Sequence, residues 1–135
     1  MQTKIAGAEI EVLGGGAAPG AEGWSLTVVE AAPRWIDGTR GEYVALERAW
    51  QEGLVAARDA GAKHVVVSAA GIGDKGFPMD RASYVVWNTV ARYLIEERPG
   101  FERITFYAST GEEERVYGET LREVTHTMIG WPPPA

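Results

Sequence analysis

The stretch Lys63–Ser109, KHVVVSAAGIGDKGFPMDRASYVVWNTVARYLIEERPGFERITFYAS, decides the fold. It opens on Lys63–Ala70, a continuous apolar run rich in β-branched residues, the pattern of a strand covered on both faces. The loop Gly71–Phe77 follows. Pro78 then suits the first turn of a helix that carries Ala82, Val86, Thr89, Val90 and Tyr93 on one side and runs to about Arg98. Pro99-Gly100 ends it, and Arg103–Ser109 is a second strand. A strand, a helix and a strand in close succession predict a parallel pair joined by a right-handed crossover.

The same alternation extends in both directions. Upstream, Ser25–Ala32 has strand character. In Glu42–Ala60, Tyr43, Leu46, Trp50, Leu54 and Ala57 recur at steps of three and four, and Gly61 stands where a left-handed residue ends a helix. Downstream, Thr110 and Glu113 have capping-box spacing and open a third helix with Tyr117, Leu121, Val124 and Met128 on one face. Lys4–Leu13 adds one or two edge strands. Gly14–Gly23, GGGAAPGAEG, is a loop that sets off a short N-terminal piece, and the tail WPPPA lacks the N–H groups a central strand requires. The expected class is α/β, a short mixed or parallel sheet between helices.

Composition bounds the function. The 135 residues fit one domain, residues 1–135, and 45% of them are hydrophobic. Such a chain buries roughly two-thirds of its unfolded surface without a disulfide or metal staple. It has no cysteine, which excludes thiol catalysis and cysteine zinc sites, and only two histidines, His64 and His126, far apart in sequence. No metal site and no resident cofactor are expected. A net charge of −6 disfavours nucleic acid and anionic membrane. The N-terminus carries no apolar core of signal-peptide length, and no run approaches about 18 apolar residues, so a soluble cytoplasmic protein is expected. Ten arginines against three lysines, with one Asn and two Gln, fit either a thermophile or a GC-rich genome.

Ligands of open α/β sheets bind beyond the carboxyl ends of the strands. Three loops belong there: Pro33–Gly41, Gly71–Phe77 and Ser109–Glu112. GIGDKG, Gly71–Gly76, matches G-x-G-x-x-G, and its glycines let backbone N–H groups approach an anion at the positive end of the following helix. It is not a dinucleotide fingerprint. The helix starts after the third glycine, and the next strand ends in Ala108-Ser109-Thr110 rather than in a ribose-binding acid. A plain strand-to-helix turn is the structural alternative.

The surroundings resemble a macro domain, the ADP-ribose-binding family, over roughly residues 24–128. SAAGIGDKGFP is similar to the family's PAISTGIYGFP loop, with Gly73, Gly76, Phe77 and Pro78 in place and Asp80 and Ala82 matching the helix start. SLTVVEAAPRWIDGTRGE is similar to the strand VIHTVGPRW and the helix after it, with Pro33, Arg34, Trp35, Gly41 and Glu42 in register. The resemblance implies a small macro-like domain, shortened in its N-terminal half, that binds ADP-ribose or a related nucleotide. It assigns the ligand to Gly71, Ile72, Gly73, Asp74, Lys75, Gly76 and Phe77, with Ala32, Pro33, Arg34, Trp35 and Ser109 lining the same cleft.

The departures weigh against strong catalysis. The family's NAAN stretch is missing, its strand His is Val29 here, and the aromatic often found beside adenine is Ser109. Gly14–Gly16 is either a remnant of the family's second glycine-rich loop or a plain flexible loop. Asp37, Asp74 and Asp80 are the carboxylates nearest the cleft loops, and so the only candidates for a general base in a weak ADP-ribosyl or O-acetyl-ADP-ribose hydrolase. Asp37 and Asp80 equally suit a turn and a helix start. Asp74 facing a diphosphate at ~5 Å would cost on the order of a kcal/mol or more. Trp35, at a strand end, is placed to stack a base. The other expectation is an oligomeric interaction protein with a degenerate pocket. An exposed sheet edge or apolar face favours self-association, which makes a homo-oligomer the expected state.

Overall fold

A computed structural model of the chain describes residues 2–14, 24–25, 34–68 and 76–127. Five strands form one sheet: β1 (Gln2–Ile5), β2 (Ala8–Leu13), β3 (Trp24–Ser25), β4 (His64–Ser68) and β5 (Arg103–Tyr107), in the order β1-β2-β5-β4-β3. Among the described residues three helices accompany it, α1 (Glu42–Asp59), α2 (Met79–Glu97) and α3 (Gly111–Thr127). β1 is antiparallel to β2, and every other pairing is parallel. The expected α/β class with a mixed sheet is observed. Of the expected strand Ser25–Ala32, only Ser25 lies within the described residues, and of the expected loops Gly14–Gly23 and Gly71–Phe77 only Gly14, Gly76 and Phe77 do.

The expected edge segment Lys4–Leu13 takes in the end of β1 and all of β2, but of these two only β1 is an edge. β2 lies inside the sheet, paired along its length with β5 from Glu9↔Arg103 to Leu13↔Tyr107. Its alternation explains the fit: Ala8, Ile10 and Val12 are buried while Glu9 and Leu13 are exposed.

Phe106 of β5 shows where the core sits. Trp50 of α1, Trp87 of α2 and Tyr117 of α3 all pack on its ring, at centroid distances of 6.4, 5.3 and 4.3 Å. The three helices therefore cover the same face of the sheet. Handedness requires this for α1 and α2: the crossovers β3-α1-β4 and β4-α2-β5 step in one direction, so right-handed connections place both helices on one side. Val65, Val67, Ile104 and Phe106 point into that core. His64, Val66, Ser68, Arg103, Thr105 and Tyr107 alternate with them onto the other face, where no described helix lies.

At the start of α3, Thr110 Oγ1 accepts from the Glu113 N–H at 3.1 Å, the first half of the expected capping box. The Glu113 carboxylate turns instead to the Ser109 hydroxyl, at 2.9 and 3.0 Å. Among the described residues no helix is long and apolar enough to cross a membrane.

Candidate functional site at the carboxyl ends of the strands

β2, β3, β4 and β5 are parallel, so the segments that follow them emerge along one edge of the sheet. That edge gathers Gly14 after β2, Arg34–Gly41 before α1, Gly76–Pro78 before α2, and Ala108–Thr110 after β5.

Two of these segments touch. Trp35 is half-buried, and its ring lies 5.2 Å from Tyr43 and 5.6 Å from Phe77, which is itself buried. Gly76 has φ +89, and a Cβ there would stand 3.5 Å from Trp35 Cβ. Gly38 has φ +85, and a Cβ there would come within 2.6 Å of the far edge of the Trp35 ring. Trp35 is thus held between two glycines in left-handed backbone, one on its own loop and one at the close of the Gly71–Gly76 motif. Its ring packs on Tyr43 and Phe77 and joins the two loops.

Glu42 fixes the first loop, and only its register had singled it out. It is 3% exposed, at the first position of α1 after Gly41, which has φ 73. Its Oε2 accepts from the N–H groups of Ile36, Asp37 and Gly38 at 3.0, 3.1 and 2.8 Å, and its Oε1 from Arg40 at 2.7 Å. Burial on its own raises a carboxyl. The N–H groups of Gly38, Ile36, Arg40 and Asp37 outweigh it and bring Glu42 from 4.5 down to about 2. The sequence signal for this clamp is an acid directly after two closely spaced glycines, Gly38 and Gly41.

The carboxylates proposed as bases are used locally. Asp37 Oδ1 accepts from the Thr39 N–H at 2.8 Å and the Thr39 hydroxyl at 2.7 Å, and its Oδ2 lies 3.9 Å from Arg40. This is an Asx turn, whose purpose is to shape the loop. Asp80 is exposed and accepts from the Arg81 N–H at 2.9 Å in the first turn of α2. Ser109 is exposed and donates to Glu113, while Arg34 is exposed at the entry to the Trp35 loop. Just after β2, Gly14 lies against the Glu114 carboxylate of α3. Gly71, Ile72, Gly73, Asp74, Lys75, Ala32 and Pro33 lie outside the described residues. α2 begins at Met79 with Pro78 at its cap position and no side-chain cap.

Comparison with known proteins assigns this architecture. No family model matches the chain. The Oceanobacillus iheyensis macrodomain with ADP superposes with a TM-score of 0.69 at 12% identity, over 94% of this chain and 97% of that one. A glycine-to-valine mutant of the same macrodomain with ADPR gives 0.69 at 13% identity, over 93% and 98%. The macro domain of ganglioside induced differentiation associated protein 2 gives 0.61 at 22% identity, over 67% of this chain and 45% of that one. The fold is that of a macrodomain. An uncharacterized protein of Thermoplasma acidophilum, Ta1105, is 34% identical over 76 residues, which is 56% of this chain. The chain spans about two fifths of that relative, 39% of its length.

Proposed function

We propose that this chain binds ADP-ribose or a related nucleotide through the Gly71–Phe77 loop, with Trp35 and the Arg34–Gly38 segment beside it. The observation that carries this is the macrodomain fold, shared with structures that contain ADP and ADPR. The seating of Gly76 and Phe77 on Trp35, ahead of the uncapped start of α2, supports it. Gly71 and Gly73 let backbone N–H groups approach the diphosphate, and Ala32, Pro33 and Ser109 line the cleft. Asp37 and Asp80 are engaged in turn and helix-start contacts, which favours binding over turnover. Asp74 remains the carboxylate to mutate first if hydrolysis is found. The protein is read as one domain acting in the cytoplasm, with neither nucleic acid nor membrane as partner.

Calorimetry with ADP-ribose, ADP, AMP and NAD tests this. Binding of ADP-ribose is expected, weakened beyond detection by Gly73→Glu and tightened by Asp74→Ala. Absence of heat and of a thermal shift at ~1 mM ligand rejects it.

The sheet face without a described helix favours a second reading, a self-associating interaction protein whose pocket has degenerated. Leu13 is 38% exposed on that face. Light scattering separates the two: an oligomer with no ligand response supports this reading, and a monomer that binds ADP-ribose excludes it.

A further inference from the structure

We infer a second anion site, at the end of the sheet opposite the glycine loop, for a small ligand bearing two or more phosphate charges. A hollow of about 440 Å³ lies there, where β4 and β5 begin and the β1–β2 turn passes them. Lys4, Lys63, Arg103 and His64 line it, facing the carboxylates of Glu9 and Glu102. Two of the chain's three lysines thus share one concavity on a protein of net charge −6.

The charges in this hollow are unevenly matched. Glu9 is taken by Arg103, at 3.1 Å. Among the described residues the ammonium groups of Lys4 and Lys63 have no ion-pair or hydrogen-bond partner, although Lys4 stands opposite Glu9 in register. Each ammonium keeps its donors for a guest, and an ammonium suits phosphate as a compact charge. Glu102 shares the hollow and weakens its hold on a singly charged anion, so a guest with charge enough for both ammonium groups is favoured.

The framework is rigid where the charges are anchored. The Lys63 carbonyl accepts from both the Glu102 and Arg103 N–H groups, at 2.8 and 3.1 Å, and the Glu102 carbonyl accepts from the Glu9 N–H at 2.9 Å. The Lys63 amine lies over Gly100, 3.6 Å from where a Cβ would stand. Gly7, with φ +87, has nothing within 4 Å of its own Cβ position and leaves the mouth open. The hollow's volume falls within the range that holds small ligands. Polar side chains of Glu9, Arg103 and His64 form one row across β2, β5 and β4. His64 extends that row by a hydrogen bond to Thr105 of 2.8 Å, which in turn donates to Glu11 at 2.8 Å.

Inorganic pyrophosphate is the probe, titrated into the whole chain and followed by amide NMR. The expected result is saturable shifts at Gly7, Lys63, His64, Glu102 and Arg103. The double variant Lys4→Gln with Lys63→Gln is expected to lose roughly tenfold or more in affinity, and Glu102→Gln to gain. All three side chains are exposed, so these variants fold. Shifts confined to Gly76 and Phe77, or a double variant that titrates like the parent chain, overturn the proposal. ADP-ribose binding at the other end of the sheet is read from a separate titration, so failure of the second site leaves that reading standing.

Discussion

Glu42 spends its carboxylate on the N–H groups of Ile36, Asp37, Gly38 and Arg40 in the loop before it, and that gives the fold an acid-sensitive point. Its folded value of about 2 lies below the unfolded 4.5. The stabilisation is therefore complete above pH 4.5 and is lost as the pH falls toward 2. In Glu42→Gln the thermal midpoint is expected to fall at pH 7, and its dependence on pH between 4.5 and 2 to flatten; melting curves across that range measure both. An unchanged slope would show that another group carries the acid transition. The two glycines beside it differ in what a side chain would meet. Gly41 opens onto free space, so Gly41→Ala bears only the left-handed backbone penalty, about 1 kcal/mol. Gly38→Ala also drives a methyl into Trp35 and should cost about 2–3 kcal/mol, with a shift in tryptophan emission. Chemical denaturation of the pair checks the order. At this scale the sequence was only partly legible: it marked Trp35, Gly76 and Phe77 as neighbours of one cleft, but not that Trp35 packs against both loops. That depends on contacts between β-strand ends far apart in the chain.

Each helix was visible from its apolar spacing, because α1, α2 and α3 bury one face and expose the other. Their observed limits, Glu42–Asp59, Met79–Glu97 and Gly111–Thr127, lie within a residue or so of the starts set by Gly41, Pro78 and Thr110. These starts are local chemistry, so sequence suffices. Thr110→Ala should cost about 1 kcal/mol, since it removes a side-chain bond to the Glu113 amide in the first turn of α3. Ser109→Ala should cost less, because Ser109 is itself exposed and water replaces its bond to Glu113. Thermal melts of the two variants rank them. The position of β2 was not legible. Ala8, Ile10 and Val12 announce a strand with one apolar face, yet interior or edge placement depends on β5, whose Arg103 lies 94 residues beyond Glu9. No local pattern encodes a pairing at that separation.

For the molecule as a whole, α/β class and the resemblance to macro domains followed from the order of loops and helices between Trp24 and Thr127. Which face of the sheet the helices cover did not, because it follows from strand order, and strand order is non-local. The result is a sheet with three helices on one side, gathered by Trp50, Trp87 and Tyr117 around Phe106, and glycine-bearing loops along one edge. Under the proposed function this edge receives a nucleotide. The most direct test is a titration of the chain with ADP-ribose, observed by two-dimensional NMR at the Trp35 indole and the Gly76 and Phe77 amides. Binding predicts saturable shifts of these three signals, abolished in Gly73→Glu. Signals that stay in place up to ~5 mM ADP-ribose, or that move equally in Gly73→Glu, would contradict it.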